Sequence, residues 1–349
     1  MPQKNIAFFL VFSVLLFTAA IILFWYSHSL STLRPIDSDF SIDRSLEVTG
    51  IEIKQESTGV HLTKDSHGQW ILDGQFLAND PAVRQLVSVM NRIRVRQPVS
   101  VANRGEVHKY MDEEGIRVRI WVQAWRIHLG NFRMLPYTRL HQSFRVGEDT
   151  SDGLSTYMRK DGSDFPFKIH LPASEGGLRY LFDPHQRAWR DPMVVNLERE
   201  NVSRVEVKVM GQPTESFILH HKEDGSFYFH QFAESEPVMD VYADTSRVVR
   251  FLSSFSDLHY ESLLNEQQEE QRKKRMIEQP FMEITVESTE GIRTRMVAYA
   301  RKAREEDILT PATGNDPNRF YLKVNEGEFA LAQYYVFNRI LRPLSFFEN

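Results

Sequence analysis

The chain has 349 residues, with 42 Lys and Arg against 47 Asp and Glu, and its 42% hydrophobic content excludes a wholly disordered protein. The length favours two domains, and the net charge of −5 argues against a general nucleic-acid binder. The absence of cysteine excludes a disulfide scaffold, a zinc finger, an iron–sulfur site, a catalytic thiol and a lipoprotein-type anchor.

The N-terminal segment has the composition of a membrane-spanning helix. Residues 6–26, from Ile6 onwards, contain no charged side chain and end on Trp25 and Tyr26, a pair suited to lipid headgroups. The long apolar run and the poor cleavage site after it favour an uncleaved anchor over a signal peptide. The short tail of residues 1–5 predicts a cytoplasmic N-terminus and a periplasmic bulk. We therefore expect a single-pass protein of a bacterial inner membrane.

A polar spacer is predicted for residues 27–45, and a first α+β domain for residues 46–192. This domain begins with two alternating strands, followed by a glycine–aromatic strand and a helix that starts at an Asx cap with proline in its first turn. The residues that carry this pattern are Ile51, Ile53, Val60, Leu62, Gly68, Trp70, Leu72, Asn79, Asp80, Pro81, Val83, Leu86, Met90 and Ile93.

The same order recurs in residues 193–349, which predicts a second, similar domain produced by an internal duplication. The apolar helix positions match at an offset of 165 residues, from Val83 to Val248 and from Leu86 to Phe251. Period-two strands mixed with isolated helices predict an α+β fold with largely antiparallel sheets. The charged run at residues 265–277 predicts a solvated connecting helix.

The sequence offers little for catalysis. It lacks the phosphate-loop and dinucleotide-binding motifs, the GxSxG elbow and HExxH, so we expect no nucleotide, no cofactor and no enzymatic activity. His220 and His221 are adjacent in a predicted strand and point to opposite faces, so they cannot share a metal ion. The acidic runs at residues 112–114 and 305–307 are expected to be exposed and to have no catalytic role.

One basic, aromatic segment is a candidate interaction surface. Trp121 is out of phase with the buried positions of its predicted strand, and Trp125, Arg117 and Arg119 lie close to it in sequence. Arg126 and Arg133 extend the basic character. This composition fits stacking on a sugar or nucleic acid, and equally a protein interface.

Several of these residues also occur in a known pattern, in which I-x-I, G-x-[WF]-x-[LF] and a capped helix follow one another twice behind an anchor. The residues that carry the likeness are Ile51, Ile53, Gly68, Trp70, Asp80, Val83, Trp189, Arg190, Asp191, Val205, Val207, Gly225, Phe227, Asp244, Thr245 and Val248. The pattern resembles a bacterial family of unknown function whose genes lie beside those of gliding-motility-type ABC-2 transporters. The chain departs from it at Phe227, where tryptophan is frequent, and in a loop expected over residues 130–153.

The resemblance implies an envelope protein that assists an ABC-type export or gliding-motility apparatus, and it supplies no catalytic residues. We therefore predict a non-enzymatic scaffold or accessory subunit. Its expected partners are the lipid bilayer, through residues 6–26, and subunits of a membrane transporter or envelope complex. A periplasmic module that binds glycan or peptidoglycan is one alternative, and an unrecognised hydrolase is another.

Overall fold

The structure is a computed structural model that describes residues 13, 15–20, 35–129, 132–222, 224–231, 244–303 and 314–348. The chain divides into two compact units, Met1–Trp189 and Arg190–Asn349. The predicted boundary between residues 192 and 193 lies three residues beyond this division. Each unit combines one large sheet with helices, and all the strand pairs in the described ranges are antiparallel. The prediction of an α+β fold with largely antiparallel sheets is confirmed.

The first unit is built on a nine-stranded sheet with the order β4-β3-β2-β1-β6-β7-β8-β9-β5. Its strands are β1 (Val48–Gln55), β2 (Thr58–Lys64), β3 (Trp70–Leu72), β4 (Phe76–Leu77), β5 (Arg94–Pro98), β6 (Ile116–Leu129), β7 (Phe132–Asp149), β8 (Thr156–Lys160) and β9 (Phe167–His170). The helices described in this unit beyond residue 34 are α1 (Pro35–Ser38), α2 (Asp80–Met90) and α3 (Val101–Glu113).

The core of the first unit lies on one face of this sheet. Side chains alternate between the two faces of a strand, so Ile51 and Ile53 of β1 join Val118 and Ile120 of β6 in the core. Helix α2 covers the same face with Val83, Leu86, Val89 and Met90. The helix begins where the sequence predicts, because Asn79 Oδ1 accepts a hydrogen bond from the Ala82 amide at 3.1 Å.

The second unit contains an eight-stranded sheet with the order β13-β12-β11-β16-β17-β18-β19-β15 and a two-stranded sheet of β10 and β14. Its strands are β10 (Met193–Val195), β11 (Val202–Val209), β12 (Phe217–His221), β13 (Phe227–Gln231), β14 (Leu258–His259), β15 (Ser262–Leu263), β16 (Met282–Ser288), β17 (Arg293–Tyr299), β18 (Arg319–Val324) and β19 (Phe329–Gln333). Its described helices are α4 (Thr245–Ser253), α5 (Glu266–Arg275) and α6 (Tyr334–Phe337).

The two large sheets follow the same path. In chain order, β1, β2, β3, β5, β6, β7, β8 and β9 correspond to β11, β12, β13, β15, β16, β17, β18 and β19, and the corresponding strands have the same neighbours. Helix α4 corresponds to α2 and is also capped, since Asp244 Oδ1 accepts from the Ser246 amide at 2.8 Å. Helix α5 is the predicted charged helix and carries no buried residue. The shared strand order supports an internal repeat.

Two elements differ from the sequence predictions. The loop expected over residues 130–153 is wrong, because β7 runs through this region and forms a long hairpin with β6. Helix α3 has no counterpart among the predicted elements, because Val107 and Met111 are its only buried residues and give no amphipathic period. It packs these two side chains with Val99 and Tyr157 in a small separate cluster.

The C-terminal half of the predicted spacer is packed into the first unit. Phe40 and Ile42 are buried in the core, and the Phe40 ring meets those of Phe144 and Phe167 edge-on, each at 6.0 Å. The Gln142 side-chain amide also donates to the Ser41 carbonyl at 2.8 Å. The folded unit therefore begins before residue 46.

The predicted anchor lies mostly outside the described residues, and Ile6, Trp25 and Tyr26 are among those not described. Residues 15–20 are helical, and the Thr18 hydroxyl donates to the Leu15 carbonyl at 2.9 Å. Within the described ranges, no helix combines the length and the apolar character that a membrane crossing requires.

Candidate functional site

The sheet face of the first unit that points away from the core carries an open groove of about 660 Å³. Its floor lies across the middle of the sheet, where Trp121 of β6 faces Gly50 of β1. Strand alternation places Trp121 here, because its neighbours Ile120 and Val122 point into the core. The groove is further lined by Glu47, Thr49, His61, Thr63, Lys64, Asp65, Ser66, Gly68, Gln123 and Thr138.

The floor of the groove combines an aromatic surface with polar groups. A Cβ atom at Gly50 would lie 3.6 Å from Trp121 Cβ and Cε3, so the glycine leaves space beside the indole. The His61 ring meets the indole edge-on at 5.7 Å. The Thr49 hydroxyl is buried and has no hydrogen-bond partner among the described residues.

The rim of the groove is charged and held in place. Lys64 Nζ lies 3.1 Å from the Glu47 carboxylate and 5.6 Å from the centre of the Trp70 ring. Asp65 fixes the turn after β2, because its carboxylate accepts hydrogen bonds from the amides of His67 and Gln69, each at 2.8 Å. An indole beside amide, hydroxyl, ammonium and carboxylate groups can stack on a flat ligand and bind its polar edge.

The structure brings together only part of the predicted interaction surface. Trp121 lines the groove, whereas Trp125 lies further along β6, opposite Pro136. Arg117 and Arg119 share the outward face with Trp121, and both form ion pairs. Arg117 Nε lies 3.2 Å from the Asp161 carboxylate, and Arg119 Nε lies 3.2 Å from that of Glu52.

The groove residues His61, Lys64 and Gln123 are absent from the sequence predictions. They come together because β2 pairs with β1 and β1 pairs with β6, and this register cannot be read from any one strand. One signal was available in the sequence. The alternation of buried and polar residues along β2 places His61 and Thr63 on the face opposite Val60 and Leu62.

The other sequence candidates have structural roles. The side chains of His220 and His221 have separate environments: His220 stacks on Tyr228 at 4.6 Å, and His221 Nδ1 lies 2.9 Å from the Val202 carbonyl oxygen. Asp112 pairs with Arg159, and the whole acidic run at residues 112–114 is exposed, as expected. The run at residues 305–307 lies outside the described residues. In the described ranges, no group of three His, Asp or Glu side chains could hold a metal ion.

The second unit presents a different outward face at the corresponding place. At this place, next to the buried pair Val205 and Val286, Arg204 is paired with Glu287. The first unit has Gly50 paired with Trp121 at the corresponding position. The face is covered by ion pairs that link Arg204 to Glu206, Lys208 to Glu206, Arg293 to Glu287 and Arg295 to Glu283. The hydrogen bond from Arg295 holds the pKa of Glu283 below its ordinary value.

Comparison with known families identifies the family of the chain. A family model described as a domain of unknown function (DUF4340) matches residues 70–275. The chain belongs to this family. The DUF4340 match runs from β3 of the first unit to α5 of the second and includes the groove residues Trp121, Gln123 and Thr138, whereas the other nine groove residues precede it. No curated protein and no solved structure matches this DUF4340 chain.

The ion pairs on the second unit predict a pH dependence of its stability. The pKa of Glu283 is lower in the folded protein, so its contribution is present above about pH 4.3, the ordinary pKa of a glutamate, and is lost as the pH falls through the folded pKa. Glu283→Gln should lower the stability at pH 7 and reduce its pH dependence in the acidic range.

Native-state hydrogen exchange of the β16 and β17 amides measures this effect within the second unit. Glu290→Gln, in the exposed β16–β17 turn, removes a carboxylate without touching the pair and is the matched control. An unchanged pH profile in Glu283→Gln would show that the pair has no energetic role.

Proposed function

We propose that the protein is a non-enzymatic scaffold or accessory subunit of an ABC-type export or gliding-motility-like apparatus. In this proposal, residues 6–26 anchor it in a bacterial inner membrane, with the N-terminus in the cytoplasm and both units in the periplasm. The family shown by comparison has no assigned function, so the proposal rests on the apolar N-terminal segment, the repeat and the genomic association implied by the resemblance.

One structural observation carries this proposal. The polypeptide that follows the apolar segment is built into the first unit, where Phe40 and Ile42 lie in the core. From Tyr26 to Phe40 a fully extended chain reaches at most about 50 Å. An anchor at residues 6–26 would therefore hold the first unit within that distance of the bilayer surface, within reach of other membrane-bound subunits.

The outward faces of the two units also fit a role in binding. The first carries the Trp121 groove and the second carries a network of ion pairs, so one repeated fold presents two surfaces of different chemistry. Duplicated units of this kind can hold two partners, or two parts of one partner, in a fixed order along one chain.

Co-purification tests the proposed role. The full chain, tagged at its C-terminus and solubilised gently from its native membrane, should bring down identified permease or ATPase subunits of an export apparatus. The same chain with residues 6–26 replaced by an unrelated transmembrane helix is the control for non-specific membrane proteins. Recovery of the native chain as a solitary monomer across mild detergents would contradict the proposal.

A second candidate function is the binding of glycan or peptidoglycan, and the groove is the observation that favours it. The exposed part of an indole accepts the C–H face of a sugar ring, while Gln123, Thr63 and Lys64 offer hydrogen-bonding groups at its edge.

Titration of the full chain with soluble peptidoglycan fragments tests this candidate. Trp121→Ala should weaken binding by about fivefold, the value of one aromatic contact, whereas Trp125→Ala, outside the groove, should leave it unchanged. Gly50→Val, which places a larger side chain beside the indole, should block the groove without removing a polar group. If all three variants bound the fragments with the affinity of the wild-type chain, the groove would be excluded as the glycan site.

A further inference from the structure

The β6–β7 hairpin continues well beyond the sheet of the first unit as a two-stranded ribbon, which we define as residues 123–129 and 132–140. The pairing of β1 with β6 ends at Val122, and that of β8 with β7 begins at Phe144. Apart from the Gln123 amide, which donates to the Glu47 carbonyl at 2.9 Å, neither edge of the ribbon is paired with other backbone in the described part of the chain. The ribbon extends for about 20 Å, the length of seven residues in a strand.

One face of the ribbon is apolar. The register places Trp125 opposite Pro136 and Ile127 opposite Met134, and strand alternation puts these four side chains on the face that continues from Trp121. On this face, four large hydrophobic residues leave 40–57% of their surface exposed: Ile127, Phe132, Met134 and Leu140. An apolar surface of this kind, with free strand edges, needs a covering partner.

The charge of the ribbon indicates what covers it. The 16 residues of the ribbon contain three arginines and no Asp, Glu or Lys, in a chain whose net charge is −5. On the face opposite Trp125, Arg126 lies over the Tyr137 ring at 6.0 Å, and Arg139 follows at the next position on that face. Apolar and aromatic side chains beside arginines are typical of surfaces that lie in a membrane interface, where the guanidinium groups meet lipid phosphates.

The path of the chain places this ribbon near the proposed anchor. Gln142 of β7, two residues from Leu140, holds the Ser41 carbonyl at 2.8 Å, so the chain that comes from residues 6–26 joins the unit beside the base of the ribbon. A second copy of the chain is a poorer occupant, because two such ribbons carry charge of the same sign and no acidic residue to pair with it.

We infer that the ribbon is a second membrane contact, which lies in the headgroup region of an anionic bilayer with its apolar face towards the acyl chains. This inference rests on the proposed membrane anchoring. The ribbon does not enter the hydrocarbon core, since its unpaired backbone groups would there lose their hydrogen bonds to water. Together with the anchor, this contact would hold the first unit against the membrane surface.

Single-cysteine labelling tests the inference, and the chain is suited to it because it contains no cysteine. Met134→Cys places a nitroxide on the apolar face of the ribbon. Ile292→Cys, in the exposed β16–β17 turn of the second unit, is the matched control, and Leu15→Cys reports the anchor. Each full-length variant is reconstituted in bilayer discs that contain phosphatidylglycerol. The accessibility of the nitroxide to oxygen and to a water-soluble nickel chelate is then measured.

The label at residue 134 should be shielded from the nickel chelate and accessible to oxygen, whereas the label at residue 292 should be accessible to the chelate. Chelate access at residue 134 equal to that at residue 292, with residue 15 shielded, would overturn the ribbon contact and leave the anchor intact. Chelate access at residue 15 would instead overturn the anchoring, and the ribbon inference with it.

Substitution of the arginines distinguishes a contact with lipid from a contact with protein. Arg126→Gln and Arg139→Gln should each shift the equilibrium of the residue 134 label towards water by about fivefold, and discs of phosphatidylcholine alone should do the same. Shielding at residue 134 that persists in lipid-free detergent and rises with protein concentration would identify a second copy as the occupant and contradict the inference.

Discussion

The antiparallel pairing of β1 with β6 is the interaction on which the rest of the first unit depends. It sets Ile51 against Ile120 and Ile53 against Val118 on the core side, and so directs the residues between them outwards. The same register places Gly50 beside Trp121 and opens the groove. Beyond Val122 the pairing stops, and β6 continues with β7 alone as the exposed ribbon. Strand β6 therefore contributes to the core, the groove and the ribbon.

The two units share a strand order and differ in the residues on their outward faces. In the second unit the corresponding pair is Arg204 and Glu287, and the outward face is covered by ion pairs. Its β16–β17 hairpin turns between Ser288 and Arg293 and has no extension comparable to the ribbon. Outward positions do not pack in the core, so their residues can differ while the strand order stays the same. The groove and the ribbon belong to the first unit alone within the described residues.

The sequence predicts most of the core elements because half-buried strands and helices have apolar residues at regular spacings. The strands at Ile51 and Val205 alternate, and the helices at Val83 and Val248 begin at side-chain caps that the structure contains. The sequence does not predict helix α3, since two buried residues in 13 leave no detectable period. Strand β7 was missed for a related reason: half of it is exposed on both faces, and Pro136 interrupts its strand pattern.

The candidate site was predicted only in part, and the reason is again physical. Trp121 could be identified from its phase within one strand, whereas Gly50 and His61 meet it through the register between strands. The predicted arginines Arg117 and Arg119 share the outward face with Trp121, but their carboxylate partners come from other elements, at Asp161 and Glu52. Cross-strand neighbours of this kind have no signature in a single sequence.

We propose that residues 6–26 cross a membrane and hold both units on its periplasmic side. Labelling of intact cells with a membrane-impermeant maleimide, after permeabilisation of any outer membrane, tests it directly in a chain without cysteine. Ile292→Cys should react in intact cells, and Lys4→Cys should react only after the inner membrane is lysed. Reaction of Lys4→Cys in intact cells, or protection of Ile292→Cys until lysis, would contradict the account.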